Sequence, residues 1–503
     1  MANKKAILIY PNSLFEENDL LSNDCDIYLL EDDTYFTKFK FHKMKLVLHR
    51  ASMVAYFDYL KSLKYKTKYI DLLDTKHFYN KIISGYDEIL LYDVIDHPLR
   101  KKISNICKKN KIKLSVFDSK LFMETLSDLV EYNKTIKKKN YVHNSFYKWQ
   151  RRRLDLLVDD NGNPMYGKWS FDKENRQPFD DKYKEPTLPK INKSLYVTDA
   201  IRYVNKHFSD NFGLTDNFIY PVTFDEAKKL LDGFIKNKIK TFGEYEDAVA
   251  DDIDFGSHSL LSSSLNIGII TPKFVIEFVM KYFNKLTSGE KKRQINSTEG
   301  FIRQIIGWRS FTRLMYEFHG GEMIKMNRLK HKLKINNKWF KGETSIPVID
   351  HLIKKAEKYA YMHHIERLMY IGNFSLLTNI DPIEIYKWFM IVSIDSYEWV
   401  MVSNVMGMSQ WTLKDMTMMT RPYFSSSNYI GKMSNFKCDK KNSDDDWCKI
   451  WDALYYKFIS DNYDVLRKNY ATVMMVKHLS NMEKSKINEL LSIAKKYLKY
   501  LHK

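Results

Sequence analysis

Short unbroken apolar runs separated by amphipathic stretches open the chain: AILIY (residues 6–10), DIYLL (26–30), EILLYDV (88–94) and KLSVF (113–117). A continuous apolar run that stops at a proline, as the first does at Pro11, reads as a strand buried on both faces and therefore parallel. Between the runs lie stretches with helical spacing, such as LVLHRASMVAYFDYL (46–60). Strands alternating with helices predict a doubly wound parallel α/β sheet over residues 1–130. Ligands of such sheets sit beyond the carboxyl ends of the strands, so residues 11–14 and 31–36 form the rim to watch. No glycine-rich fingerprint occurs there, and a dinucleotide bound in the usual Rossmann manner is not expected.

The period is lost over residues 131–195, which read as a long interdomain connection, basic, aromatic and proline-bearing. Its cations at 137–139 and 151–153, with Tyr147 and Trp149 between them, either follow a phosphate backbone or form a solvated face. Beyond it helical spacing dominates. FIRQIIGWRSFTRLMYEF (301–318) places apolar residues at 301, 302, 305, 306 and 311, with Ser297 and Thr298 available to cap its start. Residues 487–501 repeat that spacing, so 196–503 is predicted as one large all-α domain. The fold class expected is α/β plus all-α.

Composition narrows the function. A chain of 503 residues with 44% hydrophobic content can bury more than one core. Its formal net charge of +19, with 15% aromatic residues, suits a polyanionic partner with stacking surfaces, most simply nucleic acid; lysine-rich drift gives the same charge. The four cysteines, at 25, 107, 438 and 448, make no disulfide framework, which points to a reducing cytoplasm. No apolar run approaches the roughly 18–20 residues that cross a bilayer, and residues 1–12 lack the apolar core of a signal peptide. A soluble cytoplasmic protein is expected.

The chemistry concentrates in MHHIERLM (362–369) and WFMIVSIDSYEWVMVSN (388–404). An arginine in an apolar setting needs a carboxylate, and Asp395 is the candidate for Arg367. On residues alone, the pair with His363 and His364 nearby reads first as a structural ion pair between core helices, ahead of a functional site.

Three segments carry a resemblance. GSHSLLSSSLNIG (256–268), GWRSF (307–311) with Gln304 one turn earlier, and the Arg367 and Asp395 stretches are similar to the flavin-binding segments of DNA photolyases and cryptochromes. GKWSFDKENR (167–176), EGFIRQIIGWR (299–309), the paired histidines, RPYFSSSNYIGKMS (421–434) and FHKMKLVLHRASM (41–53) resemble most the prokaryotic (6-4) photolyases and iron–sulfur bacterial cryptochromes. The resemblance implies FAD, held by Tyr245, His258, Ser259, Leu260, Leu261, Ser262, Gln304, Trp308, Arg309, Arg367, Asp395, Tyr397 and Met401. It implies light-driven electron transfer to a flipped-out pyrimidine (6-4) photoproduct in UV-damaged DNA. His364 is then the proton donor, His363 its orienting neighbour, and Tyr423 and Tyr429 line the lesion pocket, with Arg176 and Arg421 on the DNA. Trp388 would pass electrons to the flavin. The chain is expected to act as a monomer.

The departures matter as much. Met401 stands where the branch carries a glutamate facing flavin N5, and Phe340 and Phe389 stand where relatives carry more readily oxidised residues, which leaves Trp339, Tyr397 and Trp399 as further carriers. A ribityl lumazine antenna is expected at the sheet rim, near Asn12, Ser13, Glu31, Asp32 and His42. The branch's four-iron cluster needs four cysteines. Here Val348 replaces one, Lys441 stands at another, and only Cys438 and Cys448 remain, so no cluster is expected and Val348 and Trp447 should fill its space. No residue is assigned to a metal, and the need for a divalent ion near Asp172, Asp251 and Asp252 stays open. Alternatives are a cryptochrome-like blue-light photoreceptor, a cyclobutane pyrimidine dimer photolyase, and, more distantly, a light-independent nucleic-acid binder.

Overall fold

A computed structural model describes residues 3–191, 193–438 and 446–503. Its five-stranded sheet is parallel throughout, in the order β3-β2-β1-β4-β5, with β1 Lys5–Ile9, β2 Cys25–Leu30, β3 Thr67–Ile70, β4 Glu88–Tyr92 and β5 Lys113–Phe117. Four strands coincide with the apolar runs. The strand TKYI was missed because it lies at the sheet's edge, mostly half-exposed, and lacks an apolar run. Strand order reverses between β1 and β4, and there Asn12 Nδ2 donates to Val94 O at 2.8 Å, tying the two rim loops together.

The connection predicted to be irregular contains a helix, His143–Arg153. Its pattern was obscured because Arg151 is a core residue: the guanidinium is buried and donates to the carbonyls of Leu156, Leu157 and Trp169. Arg151 is thereby unavailable to a phosphate backbone. The expected cap at Ser297 and Thr298 is also corrected. The helix Ser288–Ile302 starts earlier, with a capping box between Thr287 and Glu290, and Ser297 instead takes the Gly243 N–H.

The helical part meets the sheet's carboxyl-end rim. Leu14 N donates to Ile267 O, His42 N to Ile391 O, and Lys45 Nζ to Ser396 O. Arg100 clamps Asp93, at the end of β4, to Glu317 on the helix Ser310–Met323, at 2.7 and 2.8 Å. Among the described residues no helix is long and apolar enough to cross a membrane.

Many histidines are buried in this arrangement, and that has a consequence for stability. Burial holds His42 and His331 down to about 4, and His49 and His143 down to about 3. Folded pKa values below the unfolded value give stability that is full above about pH 6.5 and is lost as pH falls toward the folded values. Burial also raises Glu31 and Asp96 to about 7, and these two act in the opposite sense over the same range. Four depressed histidines outweigh two raised carboxyls, so the Tm should fall between pH 7.5 and pH 5; an equal or higher Tm at pH 5 would contradict the assignment of these imidazoles as buried and neutral.

Candidate functional site

Two segments of the helical part converge on Asp395. Arg367 reaches Asp395 Oδ1 at 2.8 Å, Ser262 Oγ donates to Asp395 Oδ2 at 2.7 Å, and Asn266 Nδ2 donates to the Asp395 carbonyl at 2.8 Å. The arginine's Nε is fixed on Met362 O. Three π-helical stretches, Arg303–Arg309, Glu366–Gly372 and Val402–Ser409, border this point. Such widened turns re-aim side chains and recur at functional sites.

The serine segment is held from behind. Lys238 is buried and donates to Gly256 O and His258 O, and burial lowers its pKa to about 8. Glu185 accepts from the backbone N–H groups of Asp254, Phe255 and Gly256. Leu260 takes a left-handed backbone, φ 57°, beside Ser259 and the buried Leu261, which turns the chain into the helix Ser262–Ile267. On that helix the hydroxyls of Ser263 and Ser264 are buried without a hydrogen-bond partner. Tyr245 packs with Phe179 and Tyr183 and donates to Asp180.

Gln304 donates to Glu246 at 2.5 Å. Arg309 bonds Asn266, Leu265 O and Leu121 O, one residue removed from Asp395, whereas Trp308 lies flat on His143 with ring centroids 3.7 Å apart. Tyr397 faces the sheet rim, its hydroxyl 2.7 Å from His49 Nε2. Met401, Trp388 and Trp399 are buried.

The paired histidines part company. His363 is buried, stacked on His258 at 4.4 Å, and burial drives it well below the usual range, so it is neutral. His364 is 43% exposed, with Nε2 3.2 Å from Asp247 Oδ1 and 4.0 Å from Glu246 Oε1. Its surroundings work against the charge, but the hydrogen bond and charge of Asp247, helped by Glu246, outweigh them and raise its pKa. Asp247 also acts electrostatically on Arg176 and Tyr429, and Arg176 on Tyr423. Arg176 pairs with Asp172, and Arg421 is exposed. Behind them buried Arg303 holds Glu299, Asp172 and Glu246.

Sequence reading missed Glu246, Asp247, Arg303 and Lys238. The signal available was YED at 245–247, which reads in sequence as an ordinary polar turn.

For a flavin dinucleotide, the orphaned Ser263 and Ser264 hydroxyls and the Arg367 guanidinium are donors that fit an anionic cofactor rich in acceptors. The rim expected to hold an antenna is different. Glu31 is taken by Arg50, Tyr69 and Leu72 N; Asp32 by Lys102, Tyr79 and Thr34 N; His42 by Met44 N and Glu357 O; and Ser13 by Tyr10. The cavity beside Tyr35, Lys45, Asp96 and Tyr397 measures about 10 Å³. That cavity has room for a water, and the polar side chains expected to contact an antenna are engaged with protein partners.

A family model described as deoxyribodipyrimidine photo-lyase-related protein matches residues 7–220. A (6-4) photolyase of Agrobacterium fabrum is 29% identical over 474 residues, 92% of this chain and 91% of that one. An uncharacterised protein of Acanthamoeba polyphaga mimivirus is 49% identical over 96 residues, 19% of this chain and 73% of that one. Among solved structures, a bacterial class III photolyase from Agrobacterium tumefaciens superposes with a TM-score of 0.57 at 17% identity, covering 99% of this chain and 98% of that one.

Proposed function

We propose, because the chain belongs to the photolyase/cryptochrome family, that it is a light-dependent DNA-repair flavoprotein acting on the pyrimidine (6-4) photoproduct. The observation that carries the reading is His364: a half-exposed imidazole with a raised pKa, 3.2 Å from Asp247, whose charge also acts on Arg176 and Tyr429. FAD, when bound near the Arg367–Asp395 pair and the serine hydroxyls, supplies the light-driven electron. The chain's own residues do the rest. Arg367 and Asp395 fix the charge around the cofactor, Tyr423 and Tyr429 offer aromatic faces to a flipped base, and His364 delivers a proton from Nδ1, the ring nitrogen that Asp247 does not hold, while Asp247 at Nε2 stabilises its charged form. Illumination of the reduced protein with duplexes carrying one defined lesion of each kind tests this. Conversion of the (6-4) product is expected, and conversion of the cyclobutane dimer alone, or of neither, overturns it.

The cations of the linker should hold the duplex. Arg176→Ala is expected to weaken binding of damaged DNA and to reduce the salt slope by about one. An unchanged slope would make Arg176 a structural partner of Asp172 only.

The protein should hold no iron–sulfur cluster. Val348 is fully buried and offers no ligand, and Cys438 and Cys448 are bonded to each other, which leaves no thiolate there. This bridge departs from the expectation of unpaired cysteines. Cys25 and Cys107 are buried in the sheet part, and Lys441 lies outside the described residues. Iron analysis of protein purified without oxygen should find none; about four irons per chain would refute the ligand count.

A further inference from the structure

The Cys438–Cys448 bridge joins residues ten apart in the chain, with their Cα atoms 5.6 Å apart. Cys438 is exposed, whereas Cys448 is buried as the second residue of the helix Trp447–Asp461. That helix also holds the short helix Ser427–Met433, which carries Tyr429. At the start of the short helix, Asp452 accepts from Ser427 N at 2.8 Å and Trp451 Nε1 donates to Ser425 O at 3.0 Å. Beyond its end, Trp447 Nε1 reaches Lys437 O at 3.3 Å, a long contact, and the covalent bridge follows at the next residue.

Lys437 connects this anchor to the site. Its ammonium donates to Gly431 O at 3.0 Å and to Ser434 O at 3.1 Å, closing the last turn of the helix Ser427–Met433. From that turn the chain is tied to the segment carrying Glu246 and Asp247. Val249 N donates to Met433 O, and Asn435 and Asp251 exchange two hydrogen bonds. Asp247 is the partner of His364. The bridge thus pins, through consecutive contacts, the turn against which the Asp247 segment is registered.

We propose that Cys438 and Cys448 form a thiol–disulfide exchange site for small dithiols, whose bridged form holds the Asp247–His364 pair in its working position and whose dithiol form slackens it. The effect on repair rests on the reading of the chain as a photolyase; the exchange itself does not. A thiolate of the dithiol attacks Cys438 Sγ, forming a mixed disulfide and releasing Cys448 as the thiolate. The second thiolate of the reagent then displaces Cys438. The bridge gains two electrons and becomes two thiols, the dithiol becomes a cyclic disulfide, and the two protons it gives up reach the new thiols through solvent. The departing Cys448 lies in the first turn of a 15-residue helix, where backbone N–H groups stabilise an anion. Cys25 and Cys107 stand outside the exchange: both are buried in the sheet part, and burial pushes their thiols up, Cys107 to about 11.

The test uses the full chain. Native labelling with iodoacetamide, read by peptide mass spectrometry, should leave Cys438 unmodified in air-oxidised protein and modify it after dithiothreitol, with Cys25 and Cys107 unmodified as a check on folding. Labelling of Cys438 without the dithiol, or a bridge that survives excess dithiothreitol in the folded chain, overturns the exchange site. Hydrogen exchange then follows residues 427–438 and 245–251. Both should lose protection by at least about tenfold on reduction, and Cys438→Ser should show that loss with or without dithiothreitol. Unchanged exchange in the reduced wild type, a measurement that depends on no variant folding, overturns the anchoring. For repair, the flavin is photoreduced with EDTA so that no thiol enters. The bridged wild type should convert the (6-4) product about tenfold faster than its dithiol form, and reoxidation should restore the rate. Equal rates overturn the control of the site. Conversion in neither form, with the difference in hydrogen exchange intact, refutes the photolyase reading alone.

Discussion

Replacing His364 with alanine is expected to leave FAD content unchanged and to lower the rate of (6-4) repair by about 10²–10⁴-fold, the usual worth of a positioned general acid. The side chain that is lost hydrogen-bonds neither the Arg367–Asp395 pair nor the serine segment and meets the latter only edge-on at the His258 ring, centroids 5.7 Å apart, so cofactor content should hold. Asp247→Asn provides a check that a packing role would not pass. The amide removes the negative charge that favours the imidazolium, so the His364 pKa should fall. Activity that requires protonated His364 is lost as pH rises through that pKa, and in Asp247→Asn the loss should therefore begin at lower pH than in the wild type. Full repair by His364→Ala, or identical alkaline limbs in wild type and Asp247→Asn, would remove His364 from the reaction.

The sheet was legible because buried parallel strands leave continuous apolar runs, and four of five announced themselves that way. The edge strand Thr67–Ile70 did not, since half-exposed positions break the run. The ion pair between Arg367 and Asp395 followed from the need of a cation in an apolar setting for a partner. What stayed hidden are contacts made across long separations. Asp247 is an unremarkable acid in sequence, and it becomes a partner of His364 only after the chain has folded back. Arg151 shows the opposite error: a triplet of arginines suggests a surface, yet one of them is buried on three carbonyls.

Arg303 is the side chain whose loss should cost the most stability. It is 6% exposed, at the turn where a regular helix becomes π-helical, and it meets Glu299 at 3.2 Å, Asp172 at 3.2 Å and Glu246 at 3.6 Å. Neighbouring groups cannot replace it. Glu299 keeps the Phe171 N–H with the Tyr147 hydroxyl close by, and Glu246 keeps two side-chain amides, from Asn175 and Gln304, apart from its distant contact with His364. Arg303→Met would leave two buried carboxylates without their cation, a change worth about 3–5 kcal/mol. Arg303→Lys restores the charge but not the fork that spans three acids, and should fall between the two. The deficit should also shrink as pH is lowered, because burial already raises the Glu246 pKa and loss of Arg303 raises it further, so the carboxyl escapes its unpaired charge by taking a proton. Urea midpoints of wild type and variant at pH 8 and pH 6 measure both effects. A difference below about 1 kcal/mol at pH 8, the scale of an exposed pair, would show that this network contributes little to holding the linker on the helical part.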